Sequence, residues 1–172
     1  MKGQVAAVYN VLIVDDEDKI LNGLAQLISW DDYGLEIIGA AHDGQEAWDI
    51  LARSECNILI TDIRMPRMDG IALLQRIAEA SMGVRAIVIS GYDDFAYVKK
   101  ALLLGIENYL LKPINEDELS ATLLTILDKL DHETKDRQIR QYGADILMDN
   151  IILVFDWDSD RNLRSDRGNE YY

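Results

Sequence analysis

Short runs rich in β-branched and apolar residues alternate with amphipathic stretches along most of this chain, and that alternation narrows the fold more than any other feature. The runs are Asn10 to Val14, Leu35 to Ala40, Ile58 to Thr61, Ala86 to Ile89 and Asn108 to Leu111. Each is short and apolar throughout, as strands buried on both faces are. Between them, "DKILNGLAQLISW" places Ile20, Leu24, Leu27 and Ile28 on one helical stripe, and "GQEAWDILARS" does the same with Ala47, Ile50 and Leu51. Ile71 to Ala80 and Phe95 to Leu104 supply two more helices, with Gly83 and Gly105 suited to cap their C-terminal ends. The expected fold is α/β: a doubly wound, five-stranded parallel sheet with helices on both faces.

A last helix starts after Pro113, where Asn115 and Glu118 are spaced as a capping pair. Leu119, Leu123, Ile126 and Leu130 continue it at coiled-coil spacing until Glu133 and Arg137 interrupt the seam. The expected organisation is an N-terminal extension over 1–8 and a domain over 9–132. A linker ("ETKDRQIRQ") and an incomplete or disordered C-terminal segment then fill 133–172. In the charged tail, Asp156, Asp158 and Asp160 imitate a calcium loop, but Arg161 and Arg167 stand where its glycine and closing acid belong.

With 31 acids against 17 bases the net charge is -14, which repels nucleic acid phosphates, so this chain alone is not expected to grip DNA. The single cysteine, Cys56, excludes an intramolecular disulfide, and no Cys/His cluster has zinc-site spacing. "MKGQVAAVYN" lacks a signal-peptide h-region, and no apolar run reaches membrane-spanning length. A soluble cytoplasmic protein without membrane association is expected.

Ligands of an open parallel sheet bind beyond the carboxyl ends of its strands. At those ends stand Asp15 and Asp16 after the first strand, Asp62 at the third, Ser90 at the fourth and Lys112 at the fifth. Any one polar residue there reads as an ordinary strand end at the surface; their coincidence at four ends reads as a site. Three converging carboxylates repel: two unit charges ~4 Å apart interact by ~4 kcal/mol at an effective dielectric near 20. A small hard cation relieves this, and Mg²⁺ suits a site of few carboxylates and several waters. With Lys112 as a second positive charge and Ser90 as a hydroxyl, the set is equipped for phosphoryl transfer onto a carboxylate. Asp15 and Asp16 are adjacent and suited to the cation, directly or through water, which leaves Asp62 as nucleophile.

The blocks "LIVDDE" (Leu12 to Glu17), "TDIRMPRMDG" (Thr61 to Gly70), "VISGYDD" (Val88 to Asp94) and "NYLLKPI" (Asn108 to Ile114) resemble, in order and spacing, the receiver domain of two-component response regulators. The resemblance implies the flavodoxin-like strand order 2-1-3-4-5. It makes Asp62 the phosphoacceptor, Asp15 and Asp16 the acidic pair serving Mg²⁺, and the Arg64 backbone carbonyl a further ligand. Ser90 becomes the switch hydroxyl, Tyr109 the switch aromatic and Lys112 the phosphate-binding lysine, joined to Pro113 by a cis bond. It also implies a sensor histidine kinase as phosphoryl donor and a phosphorylation-linked homodimer through the face of the fourth helix, fifth strand and fifth helix.

The stretch "SGYDDFAYVKKALLLGIENYLLKPI" is similar to receivers joined to AraC-type helix-turn-helix output domains. Nothing after Asp136 reads as paired helix-turn-helix motifs, so DNA binding is implied for a longer parent and transcriptional control through a domain absent from this chain. The expected role is that of a regulator, one that also assists its own phosphorylation and dephosphorylation.

Pro66 and Gly70 shape a loop that leaves Asp62 open, while Met65 and Met68 pack beneath it. His42 and His132 show no partner pattern in sequence, and Trp30, Trp48 and Trp157 read as packing or exposed side chains. A metal-dependent phosphohydrolase with an aspartate nucleophile is the alternative; it wants an Asp-x-Asp arrangement on the first strand, where this chain has contiguous acids. A flavin-binding module fits less well, because "DDEDK" would repel a phosphate.

Overall fold

The structure, a computed structural model, describes residues 8–91 and 95–164; of Phe95 and residues 146–164 it describes the backbone only. Five parallel strands, β1 (Tyr9–Val14), β2 (Leu35–Ala41), β3 (Ile58–Asp62), β4 (Arg85–Ser90) and β5 (Asn108–Leu111), form one sheet in the order β2-β1-β3-β4-β5. Helices α1 (Asp18–Leu27), α2 (Gly44–Leu51), α3 (Gly70–Glu79), α4 (Phe95–Leu103) and α5 (Glu116–Arg164) alternate with them. The doubly wound sheet expected from the apolar runs is the one found. Its central strand β3, ILITD, is buried at every position, which is why its sequence shows no alternation.

β1 pairs with both β2 and β3, so chain order reverses on either side of it. That switch point leaves a crevice beyond the carboxyl ends of β1 and β3. Leu12, Val14, Leu59, Ile63, Leu73 and Val88 pack in a core cluster beneath these ends. Trp30, in a short 3₁₀ turn before β2, is buried and donates its indole N–H to the Leu24 carbonyl at 3.3 Å.

Two local expectations change. Helix α3 is closed by Ser81, whose φ is +51°, with the Met82 amide reaching the Ile77 carbonyl at 3.3 Å. That is a Schellman cap one residue past Ala80, so Gly83, expected as the cap, lies beyond it. Gly105 closes α4 as expected, at φ +80°.

The second change concerns α5. Asn115 caps it, its side chain accepting from the Glu118 amide at 3.1 Å, and the helix then continues through residues 133–164, expected to be linker and disordered segment. Glu, Lys, Arg and Gln end the apolar seam without ending the helix, because they are good helix formers in their own right. The chain divides into two compact units, 1–126 and 127–172; the first holds the sheet, and the second is helical to Arg164. Residues 1–7, 92–94 and 165–172 lie outside the described residues, and with them most of the N-terminal extension, part of "VISGYDD" and the end of the charged tail.

Candidate functional site at the carboxyl edge of the sheet

β1 and β3 run side by side with Val14 opposite Thr61, so the residues after them, Asp15, Asp16 and Asp62, meet at one edge. Each offers a carboxylate oxygen, and the three oxygens lie within 4.8 Å of one another. Asp15 and Asp62 are buried, at 1% and 6% exposure, whereas Asp16 faces solvent. Asp15 Oδ1 accepts from the Glu17 amide at 2.9 Å, which folds the β1–α1 loop around it.

Lys112, from the end of β5, reaches across the edge. Its Nζ stands 2.8 Å from Asp15 Oδ2 and 3.2 Å from Asp62 Oδ2. The contact with Asp62 is a hydrogen bond. The contact with Asp15 is an ion pair off hydrogen-bond geometry, and Asp15 Oδ2 has no hydrogen-bond partner although it is buried. Asp15 Oδ2 and Asp62 Oδ2 thus share one ammonium, which leaves the third acid, Asp16, to be balanced from elsewhere. Three hard oxygen donors so placed fit a small divalent cation.

The electrostatics agree with that geometry. Burial pushes the Asp62 carboxyl above its usual range; the Lys112 charge and the Ile63 amide pull it back and the Asp15 charge adds to the rise, and burial prevails. Burial alone would depress the Lys112 ammonium, but Asp15 and Asp62 outweigh it and raise it. The lysine therefore stays charged between two acids that repel.

The loop after β3 holds Asp62 in place. Asp62 Oδ1 accepts from the Ile63 amide at 2.7 Å, and the Gly70 amide donates to the Ile63 carbonyl at 2.8 Å. A Cβ on Gly70 would stand 2.1 Å from the Asp62 carbonyl oxygen, so only glycine permits this approach. Met65 and Met68 are half-buried against the core, as expected.

Ser90, fully buried at the end of β4, is hydrogen-bonded to the Tyr109 hydroxyl at 2.7 Å. The two hydroxyls therefore already touch. The Lys112–Pro113 bond is cis.

Residues 11–124 match the response regulator receiver domain family. The chain belongs to that family. This receiver is 35% identical over 155 residues to the uncharacterized transcriptional regulatory protein YesN of Bacillus subtilis (strain 168), covering 84% of this chain and 42% of YesN. It is 42% identical over 115 residues to the transcriptional regulatory protein HptR of Staphylococcus aureus (strain NCTC 8325 / PS 47), covering 67% of this chain and 45% of HptR.

The receiver thus spans less than half the length of these curated relatives. Among solved structures it is similar to the REC domain of AraT, a response regulator from Geobacillus stearothermophilus, with 36% identity and a TM-score of 0.71 over 74% of this chain and 98% of that one. It is also similar to a two component transcriptional regulator AraC from Clostridium phytofermentans ISDg, with 38% identity and a TM-score of 0.61 over 70% of this chain and 96% of that one. The chain is therefore a two-component response regulator receiver, and the phosphohydrolase and flavin readings fall away.

Some neighbours of the site had no sequence signal. His42, beyond β2, lies between Asp18 and Glu46, at 2.8 and 3.2 Å, and both hydrogen bonds raise its pKa above the ordinary value. The Arg64 guanidinium lies over the Tyr97 ring of α4, 5.8 Å from its centroid. The His42–Asp18 and Arg64–Tyr97 pairs join different elements far apart in the chain, which no local pattern announces.

Proposed function

We propose that this receiver accepts a phosphoryl group on Asp62 from a sensor histidine kinase in the cytoplasm. One observation carries the reading: Asp62 is a buried carboxylate with Lys112 on one oxygen, set within a cluster of three acids. The kinase's phosphohistidine is the donor. An Asp62 oxygen attacks phosphorus in line, the P–N bond breaks as the O–P bond forms, and the departing imidazole leaves with the electron pair and takes a proton from solvent. Lys112 moves its charge from the two carboxylates to the phosphoryl oxygens.

Asp15, Asp16, Asp62 and the Arg64 backbone carbonyl would hold Mg²⁺. When bound, the ion supplies charge neutralisation for the phosphoryl oxygens. The chain is altered in the reaction and must be regenerated, so its role is that of a regulator, although the same groups assist loss of the phosphate.

Phosphorylation adds roughly -1.5 to -2 charges and three acceptor oxygens beside Ser90. Ser90 then donates to a phosphoryl oxygen in competition with its bond to Tyr109, and the change reaches α4, β5 and α5. Leu102 and Leu103 on α4 and Leu111 on β5 are exposed apolar side chains on that face, which supports a phosphorylation-linked homodimer.

Residues 9–132 are the receiver, and the segment from 133 leads toward an output domain. Relatives named as transcriptional regulators support a DNA-binding output outside this chain. Among the described residues no helix is long and apolar enough to cross a membrane.

Intact mass after incubation with acetyl phosphate and Mg²⁺ tests the reading. One added phosphate on the parent and none on Asp62→Asn is expected; equal labelling of the two would place the acceptor elsewhere.

A further inference from the structure

The loop that follows Asp62 is tied down from outside by a second element, helix α2. Asp43, the residue before α2, is 2% exposed. Its Oδ1 caps the helix, accepting from the Gln45 and Glu46 amides at 2.8 and 2.9 Å. Its Oδ2 does something a cap does not need: it accepts from Arg67 Nε at 2.5 Å and pairs with Arg67 Nη2. The neighbouring Gly44 amide donates to the Met68 carbonyl at 2.8 Å, and a Cβ on Gly44 would meet that oxygen at 2.7 Å.

Arg67 itself is held at a φ of +62°, with the Met68 amide bonded back to the Pro66 carbonyl at 2.8 Å. An i to i+2 turn around a positive φ is rare and strained for a residue with a side chain. Such strain persists where the surroundings over-determine it, and here two contacts to the start of α2 do so. The loop is therefore fixed at its inner flank by Gly70 against Asp62 and at its outer flank by Asp43 and Gly44.

We propose that Asp43 is a positioning residue of the phosphorylation site: paired with Arg67, it holds the Arg64–Asp69 loop in the conformation that cation binding beside Asp62 requires. This rests on the reading of Asp62 as phosphoacceptor. Burial works to raise the Asp43 carboxyl, but the Glu46 amide, Arg67 and the Gln45 amide outweigh it and hold it below its usual range, so it stays charged toward the arginine.

Two substitutions separate this role from capping and from plain charge. Asp43→Asn keeps a good helix cap but loses the ion pair. Arg67→Gly also loses the pair; glycine tolerates the positive φ but does not hold the turn there, so the fold is kept while the loop is no longer fixed. Charge alone predicts opposite effects on Mg²⁺ affinity: removing an acid weakens it and removing a base strengthens it. The clamp predicts that both weaken it.

The experiment is calorimetric Mg²⁺ titration of the full chain, with phosphorylation by acetyl phosphate followed by intact mass and thermal melting recorded alongside. A roughly tenfold weaker Mg²⁺ Kd is expected in both variants, as for loss of an outer-shell partner. Melting temperature should be unchanged or raised in Arg67→Gly. The rate deficit should close at saturating Mg²⁺, and the double variant should be no weaker than either single one.

Arg67→Gly binding Mg²⁺ as tightly as the parent, or more tightly, overturns the clamp, and this arm decides alone if Asp43→Asn does not fold. A parent that takes up no phosphate overturns the Asp62 reading and the clamp with it. A parent that is phosphorylated beside an unaffected Arg67→Gly overturns the clamp only.

Discussion

Asp62 and Gly70 act on stability in opposite senses, the buried carboxylate against the fold and the glycine for it. With its pKa raised by burial and by Asp15, Asp62 binds a proton more readily in the folded chain than in the unfolded one. Its contribution is therefore favourable below the unfolded value of about 3.9 and is lost as pH rises through the folded value. At neutral pH, Asp62→Asn should stabilise the chain by on the order of 1 kcal/mol, a few degrees in Tm. The gain should fade as pH falls through the carboxylate range; thermal melts from pH 7 to pH 4 without divalent cations check both statements.

Gly70→Ala should act in the opposite sense. The added methyl meets backbone atoms that cannot rotate away, so a loss of about 3 kcal/mol or more is expected by denaturant unfolding.

At the scale of elements, His42 joins the first turn of α1 to the first turn of α2 through Asp18 and Glu46. Its raised pKa means this link is strongest below about 6.5 and is lost as pH rises through the folded value. The groups are solvent-exposed, so the effect is small, about a degree in Tm. His42→Gln should melt slightly below the parent at pH 5.5 and together with it at pH 8.5; a constant difference across that range would mean packing alone is lost. The Ser90–Tyr109 bond plays the corresponding part between β4 and β5, joining the end of one strand to the body of the next by hydroxyls.

For the whole molecule, exposed leucines on α4 and β5 stand out on a chain of net charge -14, where self-repulsion opposes association. If the α4-β5-α5 face forms the dimer, Leu103→Asp should leave phosphate uptake unchanged and weaken the phosphorylated dimer at least tenfold, measured by sedimentation equilibrium. Leu103 is the most exposed large apolar residue among those described, at 81%, so the substitution costs the monomer little. Equal dimer mass in parent and variant would move the interface elsewhere.

Sequence alone determined the layered α/β plan, because hydrophobic period is a local property. A run such as Ile58 to Thr61, apolar or β-branched throughout and too short for a helix, suits an inner parallel strand, and chemistry placed at strand ends then collects on one edge. It placed Asp15, Asp16, Asp62, Ser90 and Lys112 at or just beyond those ends for the same reason. Only the tertiary structure decided which oxygen Lys112 bonds, that Tyr109 already touches Ser90, and that Asp43 holds Arg67 from another helix. Those contacts depend on distances between segments far apart in the chain, fixed by packing. The length of α5 also escaped the pattern, since its polar half lacks the buried stripe that makes a helix legible and rests on propensity alone.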